Sequence, residues 1–382
     1  MPLRASNHTR YLVKSLVHAA DVLSAFRSAG ETLRLRDVVT RTGFQKGTCF
    51  RLLYTLHHCG FLEKVGKNCY RMVSEIRRRR RSRIGYAAQG QDTSFPREVL
   101  KGLVAAAERE GVELIVMDNR YQPKVALRTA DHLIRERVDL VIEFQTDDAV
   151  APAIAAKYME ANIPMIAIDI PHPGATYFGA NNYEAGLIAG GCLARWARKH
   201  WEGRIDEILL IELLRAGSLP RARLRGVLAG IREVIRDAEE TPVTSLDGDG
   251  QFKIALDRVR KHLRESQAKH VLVGAANDPS ALGAVWAFEE AGRASNCVVV
   301  GQNAEPEARA VLREPRTPLI GSVGYFPENY GDGLIRLALE ILERRPVPPA
   351  VFIKHQLITP ENVDHFYPND ALLGIGTPAS RG

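Results

Sequence analysis

Residues 140–169, LVIEFQTDDAVAPAIAAKYMEANIPMIAID, contain two short apolar runs on either side of a longer amphipathic stretch. The runs Leu140–Phe144 and Met165–Asp169 predict buried strands, and Ala149–Ala161 predicts the helix that connects them. Both strands end in polar residues, Gln145–Asp148 after the first and Asp169 at the end of the second. A strand, a helix and a strand in this order predict parallel pairing, with the helix packed on one face of the sheet.

The same alternation continues on both sides of this stretch. Further strands are predicted at Ile84–Ala88, Glu113–Met117, Glu207–Leu213, Val271–Ala275, Val298–Gly301 and Leu319–Val323. Further helices are predicted at Arg97–Glu110, Pro123–Glu136, Tyr183–Lys199 and Pro279–Gly292. We therefore expect an α/β fold with parallel sheets covered on both faces, and a ligand site beyond the carboxyl ends of the strands.

The first 73 residues follow a different pattern, with helical periodicity first and a hairpin after it. Helices are predicted at 10–28, Leu35–Arg41 and Lys46–Cys59, with a tight turn at Thr42-Gly43-Phe44 before the third. Two short strands, Phe61–Lys64 and Tyr70–Met72, surround the turn residues Gly66-Lys67-Asn68. This order predicts a winged helix-turn-helix.

In a helix-turn-helix, the third helix enters the major groove of DNA. We expect the DNA-facing residues of this helix to be Gln45, Lys46, Thr48 and Arg51, and those of the wing to be Lys64 and Lys67. Glutamine and arginine can read base edges, whereas the lysines are suited to phosphates. The alternative is a small helical domain whose basic face is only solvated.

Charge divides the chain at the same place as the pattern. Residues 1–83 carry a formal charge of +13, whereas the rest of the chain carries −6. An arginine-rich linker is predicted at 74–83, and it contains Arg77, Arg78, Arg79, Arg80 and Arg81. These arginines either contact the phosphate backbone or minor groove of DNA or form a solvated tether.

Several other classes of protein are disfavoured by the sequence. The N-terminus does not have the pattern of a secretory signal, and no apolar run approaches the ~20 residues that span a bilayer, so we expect a cytoplasmic protein with no membrane partner. The five cysteines are scattered without a CxxC pair, and we expect neither a metal site nor a cofactor. Nucleotide-binding and hydrolase motifs are missing, which argues against an enzyme.

Residues 15–72 resemble the winged helix of the isocitrate-lyase-regulator (IclR) family. That family has an S-L-x-R-A-x-x-I-L start, a T-G-L-P-K-S-T-x-x-R-L-L recognition segment and a G-Y/F wing entry. This chain matches at Thr42-Gly43, Lys46, Thr48, Arg51–Leu53 and Gly60-Phe61. It departs at Gln45, where the family has proline, and at Gly47, where the family has serine. The resemblance implies that double-stranded operator DNA is a partner.

Residues 83–367 resemble the type I periplasmic binding proteins and the sensor domains of lactose-repressor (LacI) family regulators. The similar segments are ERVDLVIEF, ANIPMIAIDIPHP, YFGANNYEAGLIAG, SLPRARLRGVLAGI, AANDPSALGAVWAFEEAG, VVVGQN and GSVGYFPENYG. The resemblance implies two lobes, about 84–181 with 326–353 and about 182–325 with 354–367, followed by a tail at 368–382. It also implies a homodimer, and a cleft that closes on a small polar ligand such as a sugar or a sugar derivative.

The resemblance places seven residues in this cleft: Phe95, Asp169, Asn182, Arg223, Asp278, Asn303 and Tyr325. Their acid, amide, guanidinium and aromatic groups suit a polyhydroxylated ligand. The structural alternatives are that Asp169 caps a loop, Asn182 holds the crossover turn and Asp278 caps the helix at Pro279.

The chain departs from many sugar binders where Asp169 is followed by Ile170 instead of arginine, and where Asn303 replaces aspartate. His172 either compensates for the missing arginine or faces solvent. We therefore expect a ligand-responsive transcription regulator. The alternatives are a solute-binding protein of a transport system and a sensor of a molecule other than a sugar.

Overall fold

The computed structural model describes residues 12–28, 30–66, 68–73 and 81–375. The chain forms two compact units, Met1–Arg81 and Ser82–Gly382. Among the described residues, no helix combines the length and the apolar character that crossing a membrane requires. Lys67 and Arg77–Arg80, which were expected to contact DNA, lie outside the described residues.

The N-terminal unit has the helix-turn-helix order that the sequence predicts. Its elements are α1 (Lys14–Ser24), β1 (Thr32–Arg34), α2 (Leu35–Thr42), α3 (Lys46–His58), β2 (Leu62–Lys64) and β3 (Cys69–Met72). The turn between α2 and α3 depends on Gly43, whose φ of 74° lies in the left-handed region that favours glycine. Val22, Val38 and Leu53 lie in the core between the helices.

Two features of this unit differ from the prediction. Helix α1 begins at Lys14 and ends at Ser24, whereas 10–28 was predicted, and just beyond its end Arg41 donates a 2.8 Å hydrogen bond to the carbonyl of Ala25 and pairs with Glu31. Strand β1 was missed, since three residues carry no usable periodicity, and it pairs with β3 to complete an antiparallel sheet of order β1-β3-β2.

The second unit is built on two six-stranded sheets, each of which defines a lobe. The first lobe has β4 (Arg83–Ala88), β5 (Glu113–Asp118), β6 (Leu140–Glu143), β7 (Met165–Ile168), β8 (Thr176–Gly179) and β14 (Ala350–Phe352), in the order β14-β8-β7-β6-β4-β5. The second lobe has β9 (Glu207–Glu212), β10 (Val243–Asp247), β11 (Val271–Ala275), β12 (Cys297–Asn303), β13 (Leu319–Gly324) and β15 (Gln356–Ile358), in the order β10-β9-β11-β12-β13-β15.

Helices cover both sheets. They are α4 (Ser94–Glu110), α5 (Pro123–Arg135), α6 (Ala151–Glu160), α7 (Asn182–His200), α8 (Ser218–Val234), α9 (Phe252–Leu263), α10 (Asp278–Glu290), α11 (Pro306–Leu312), α12 (Tyr330–Leu342) and α13 (Val363–Phe366). The first sheet is entirely parallel, and in the second only the edge strand β15 runs antiparallel to its neighbour β13. The predicted α/β class with parallel sheets is therefore confirmed.

The chain passes between the lobes three times, after β8, after β13 and after β14. The second lobe also continues beyond its expected end at residue 367. Asp370 is buried and accepts two hydrogen bonds from Arg309, of 2.7 and 2.8 Å, so the segment predicted as a tail begins as part of this lobe.

Helices α7 and α8 pack closely in the second lobe through glycines on both sides. A Cβ atom at Gly190 would lie well under 3.0 Å from the backbone oxygen of Val227, and one at Gly226 would be as close to that of Tyr183. Gly190 therefore serves close helix packing. This contact also brings Asn182, at the start of α7, close to Arg223 on α8.

Candidate ligand cavity and DNA-binding surface

A cavity of about 320 Å³ lies between the lobes, beyond the carboxyl ends of the strands. Volumes from about 300 Å³ upward are typical of small-molecule sites. Five of the seven residues expected in the cleft line this cavity, and they are Phe95, Asp169, Arg223, Asn303 and Tyr325. The structure places Asn182 and Asp278 behind its wall instead. Among the described residues, no group of three or more histidine, cysteine or acidic side chains could hold a metal ion.

Arg223 is the cationic group of the cavity, and its orientation is fixed by the protein. Its Nε and Nη2 atoms donate to Oδ1 of Asn182 at 3.1 and 2.8 Å, and Nη1 donates to the carbonyl of Ala276. The guanidinium carbon lies 5.0 Å from the ring centroid of Tyr325, which is a cation–π arrangement. The guanidinium is therefore held in place at the cavity wall, so that a ligand contact would order it at little further entropic cost.

Asn182 has a supporting position rather than the expected position in the cavity wall. It is 2% exposed, its Oδ1 is occupied by Arg223, and its Nδ2 donates to the carbonyl of Ala180 at 3.3 Å. Because its side chain is used in this way, Asn182 acts on the cavity through Arg223.

Asp278 is turned away from the cavity into the protein interior. It is completely buried, its Oδ1 accepts from Ser322 Oγ at 2.6 Å, and its Oδ2 accepts from the backbone N–H of Glu305 at 2.7 Å. Burial raises the pKa of this carboxyl to about 7, although both hydrogen bonds lower it. Asp278 is the first residue of α10, where its side chain points beneath the loop that follows β12.

The residue before it, Asn277, has the two roles considered for Asp278. It lines the cavity, and its Oδ1 caps α10 by accepting from the N–H of Ser280 at 3.1 Å. Its Nδ2 donates to the carbonyl of Gly250 at 2.8 Å. In this structure Asn277, and not Asp278, has its side chain at the cavity, because successive residues at the start of a helix point in different directions.

Asp169 supplies a carboxyl group at the end of β7. Its backbone is left-handed, with a φ of 59°, and its Oδ1 accepts from the N–H of Ala180 at 3.1 Å. Burial raises the pKa of this carboxyl to about 6, while the positive charge of Arg223 and the bond from Ala180 oppose the rise. Asp169 therefore both fixes the crossover that follows β8 and contributes an acceptor to the cavity.

A second carboxyl, that of Glu305, was not expected in the cavity. It is 6% exposed and lines the cavity, and its Oε1 accepts from Asn303 Nδ2 at 2.8 Å. Two successive left-handed residues turn the chain after β12, with φ of 106° at Asn303 and 53° at Ala304. Burial, together with the nearby charge of Asp278, raises the pKa of Glu305 to about 8.

Aromatic rings form the apolar part of the wall. Phe95 packs edge-to-face against Phe144 at 6.2 Å and Tyr325 at 6.4 Å, and all three rings line the cavity. The Tyr325 hydroxyl donates to Gln302 Oε1 at 3.0 Å, which fixes the ring. Rings of this kind pack against the C–H face of a ring-shaped ligand.

His172 does not replace the arginine that is missing after Asp169. It is 5% exposed, and its Nδ1 lies 2.9 Å from the carbonyl of Ile170. Burial lowers the pKa of the imidazole, so it does not supply a charge. Ile170 itself lines the cavity and leaves an apolar patch where a guanidinium was considered.

The lobes contact one another across the mouth of the cavity. Ser94 Oγ of the first lobe donates to Glu307 Oε1 of the second at 2.6 Å. The Tyr121 hydroxyl donates to the carbonyl of Asp249 at 3.4 Å, and Arg215 stacks over the Tyr121 ring while pairing with Asp249 at 3.1 Å. These contacts join the two lobes directly.

On the N-terminal unit, α3 has one buried face and one exposed face. Cys49, Leu53 and Leu56 pack inward. Of the residues expected to face DNA, Thr48 is half-buried, and those that are exposed are Gln45, Lys46, Arg51, Lys64 and Arg81. Gln45 is the residue that precedes the first turn of α3, where the IclR family has proline.

Comparison with known proteins agrees with this division of the chain. The family described as periplasmic binding protein domain matches residues 84–346, and the IclR helix-turn-helix domain matches residues 15–66. Both families describe binding domains rather than enzymes.

The relatives and structural neighbours resemble the second unit. The ribose import binding protein of Escherichia coli is 26% identical over 250 residues, which cover 64% of this chain and 80% of that protein. A solute binding protein from Mycobacterium smegmatis with bound glycerol superimposes with a TM-score of 0.67 at 20% identity, covering 75% of this chain and 96% of that one. One from Agrobacterium vitis with bound allitol also has a TM-score of 0.67, at 18% identity, and covers 75% and 98%. The chain belongs to the periplasmic binding protein domain family and carries an IclR helix-turn-helix domain ahead of that domain.

Proposed function

We propose that this protein is a transcription regulator that senses a sugar or polyol in the cavity and binds operator DNA through its winged helix. The observation that carries the proposal is the prepositioned Arg223 in a cavity between the lobes, in a chain that also has an exposed basic helix α3. A binding cavity alone would equally suit a transport protein. The helix-turn-helix domain favours a regulator that works in the cytoplasm.

The chemistry of the cavity supports a ligand with several hydroxyl groups. Arg223 supplies hydrogen-bond donors, and Asp169 and Glu305 supply carboxyl groups. Asn277 supplies an amide at the N-terminus of α10. Phe95 lines the cavity and offers an aromatic surface against which the apolar face of a sugar ring can pack. Glycerol and allitol, bound by two of the structural neighbours, are polyols of this kind.

On the DNA side, Gln45, Lys46, Thr48 and Arg51 would meet the major groove, while Lys64 and Lys67 of the wing would meet phosphates. The arginines from Arg77 to Arg81 would add contacts to the DNA backbone. One winged helix covers too little DNA for useful discrimination, so the protein would act as a homodimer held together by its sensor domains, as in LacI-family regulators.

Ligand binding would regulate DNA binding through the lobes. A ligand that binds the closed arrangement more tightly than the open one shifts the population toward closure. In a dimer, closure would change the spacing of the two recognition helices and therefore the affinity for the operator.

The test is a thermal-shift screen of the full-length protein against sugars and polyols, with Arg223→Ala as the control. At least one compound should raise the melting temperature of the wild-type protein and fail to raise that of the variant. A compound that stabilises both proteins equally would place its site outside this cavity.

A further inference from the structure

Two aromatic side chains are exposed on α3, beside the face that carries its core residues. Phe50 and Tyr54 are 52% and 61% exposed, they lie one turn apart, and their rings stack with centroids 6.4 Å apart. Phe26 and Tyr70 of the same unit are instead buried in its core. Large exposed rings side by side on one helix therefore point to a contact with a partner.

The surroundings of the pair indicate what that partner is. Arg51 lies between the two residues on the exposed side of α3, and Lys46 lies one turn before Phe50. Helix α3 contains no acidic residue. A second copy of this face would bring like charges together, whereas the polyanionic edge of a DNA groove would complement them.

The groove can also accommodate apolar rings. In the major groove, the C5 methyl group of thymine is the apolar feature that distinguishes the bases. At Gly47, on the same side of the helix, no atom lies within 4 Å of the position that a Cβ would occupy, so α3 can approach the base edges closely there. Four helical residues advance about 6 Å, close to two base-pair steps of about 3.4 Å.

We propose that Phe50 and Tyr54 contact thymine methyl groups in the major groove and thereby select operators with thymines about two steps apart. This inference rests on the proposed DNA-binding function and adds two residues to those expected to face the operator. Arg51 and Lys46 supply the polar and phosphate contacts around the pair. The two rings distinguish thymine from the other bases by contact with its methyl group.

The experiment removes the methyl groups without changing any hydrogen bond. An operator is first selected from random duplex DNA with the full-length protein, and each thymine in it is then replaced in turn by deoxyuridine. One buried methyl group is worth about fourfold in affinity, so replacement at one or two positions should weaken binding by about this factor.

Variants identify the ring responsible. Phe50→Ala and Tyr54→Ala should each lose the sensitivity to deoxyuridine at one position, and both should fold because the side chains are exposed. Tyr54→Phe is the matched control: it keeps the ring and should keep the sensitivity, which separates a ring contact from a hydroxyl hydrogen bond.

The outcomes distinguish the inference from the function on which it rests. Tight operator binding that no deoxyuridine weakens would overturn the thymine contact and leave DNA binding intact. Alanine variants that bind more weakly but keep the full sensitivity would also overturn it. Failure to enrich any DNA would refute DNA binding and the inference with it.

Discussion

Alanine at Gly226 should damage both the stability and the ligand site of the second unit. In a helix interior, a glycine-to-alanine change by itself stabilises by about 1 kcal/mol. Here the added Cβ would lie well under 3.0 Å from the carbonyl oxygen of Tyr183 and 3.0 Å from the nitrogen of Leu187. These are backbone atoms of α7, so the two helices must separate.

Overpacking of this kind costs about 1–3 kcal/mol of stability. We expect a value near ~3 kcal/mol here, because the atoms in the way are backbone atoms, which cannot rotate aside as a side chain can. The net loss is then roughly 2 kcal/mol, which lowers the melting temperature by roughly 4 °C in a unit of this size. Separation of the helices would also pull Arg223 away from Asn182, one turn from the substitution, and ligand affinity should fall with stability.

Calorimetric melting and ligand titration of Gly226→Ala test this expectation. The control is Gly47→Ala, where no atom lies within 4 Å of the new Cβ, and its own unit should become no less stable. A Gly226→Ala protein that melts at or above the wild-type temperature would refute the close packing of α7 and α8.

Three further predictions follow from individual groups. Asp278→Ala should lower the free energy of unfolding of the ligand-free protein by about 1–3 kcal/mol, because two buried donors lose their acceptor. Arg223→Ala should instead lower ligand affinity roughly ten- to a hundredfold. Melting and titration that show the reverse pattern would indicate that Asp278 contacts the ligand. Burial raises the pKa of Glu143 to about 8, so the folded state keeps a proton that the unfolded state releases near the ordinary glutamate pKa of 4.5. Stability should therefore fall as the pH rises from about 4.5 to 8, and Glu143→Gln should flatten this fall in urea titrations; an unchanged slope would show that Glu143 is ionised when folded. Replacing Arg77–Arg81 with serine should reduce the dependence of DNA affinity on salt concentration, and an unchanged slope in a binding titration would exclude the arginines from the interface.

The parts of the fold that the sequence predicts are those with long periodic patterns. Strands β6 and β11 are short runs that are buried on both faces and apolar except for Glu143, and they were located almost to the residue. Strands β8, β10, β14 and β15 were missed, because β10 is a partly exposed edge strand and the other three have only three or four residues each. Their pairing comes from the tertiary fold rather than from local pattern.

The candidate site was also predicted only in part. The location of Asp169 in the cavity could be predicted from its place at a strand end, and that of Arg223 from the family resemblance. Asp278 and Glu305 could not be placed, because their directions depend on the start of α10 and on two left-handed residues after β12. A rule that marks polar residues at strand ends locates the cavity but does not determine which side chain points into it.

The central claim is that ligand binding in the cavity changes operator binding, and one titration tests it directly. The affinity of the full-length protein for its selected operator is measured by fluorescence anisotropy, without ligand and with a saturating polyol that stabilises the protein. The proposed coupling predicts a change in operator affinity of about fivefold or more, which Arg223→Ala should abolish. An operator affinity that stays the same at saturating ligand would contradict the claim.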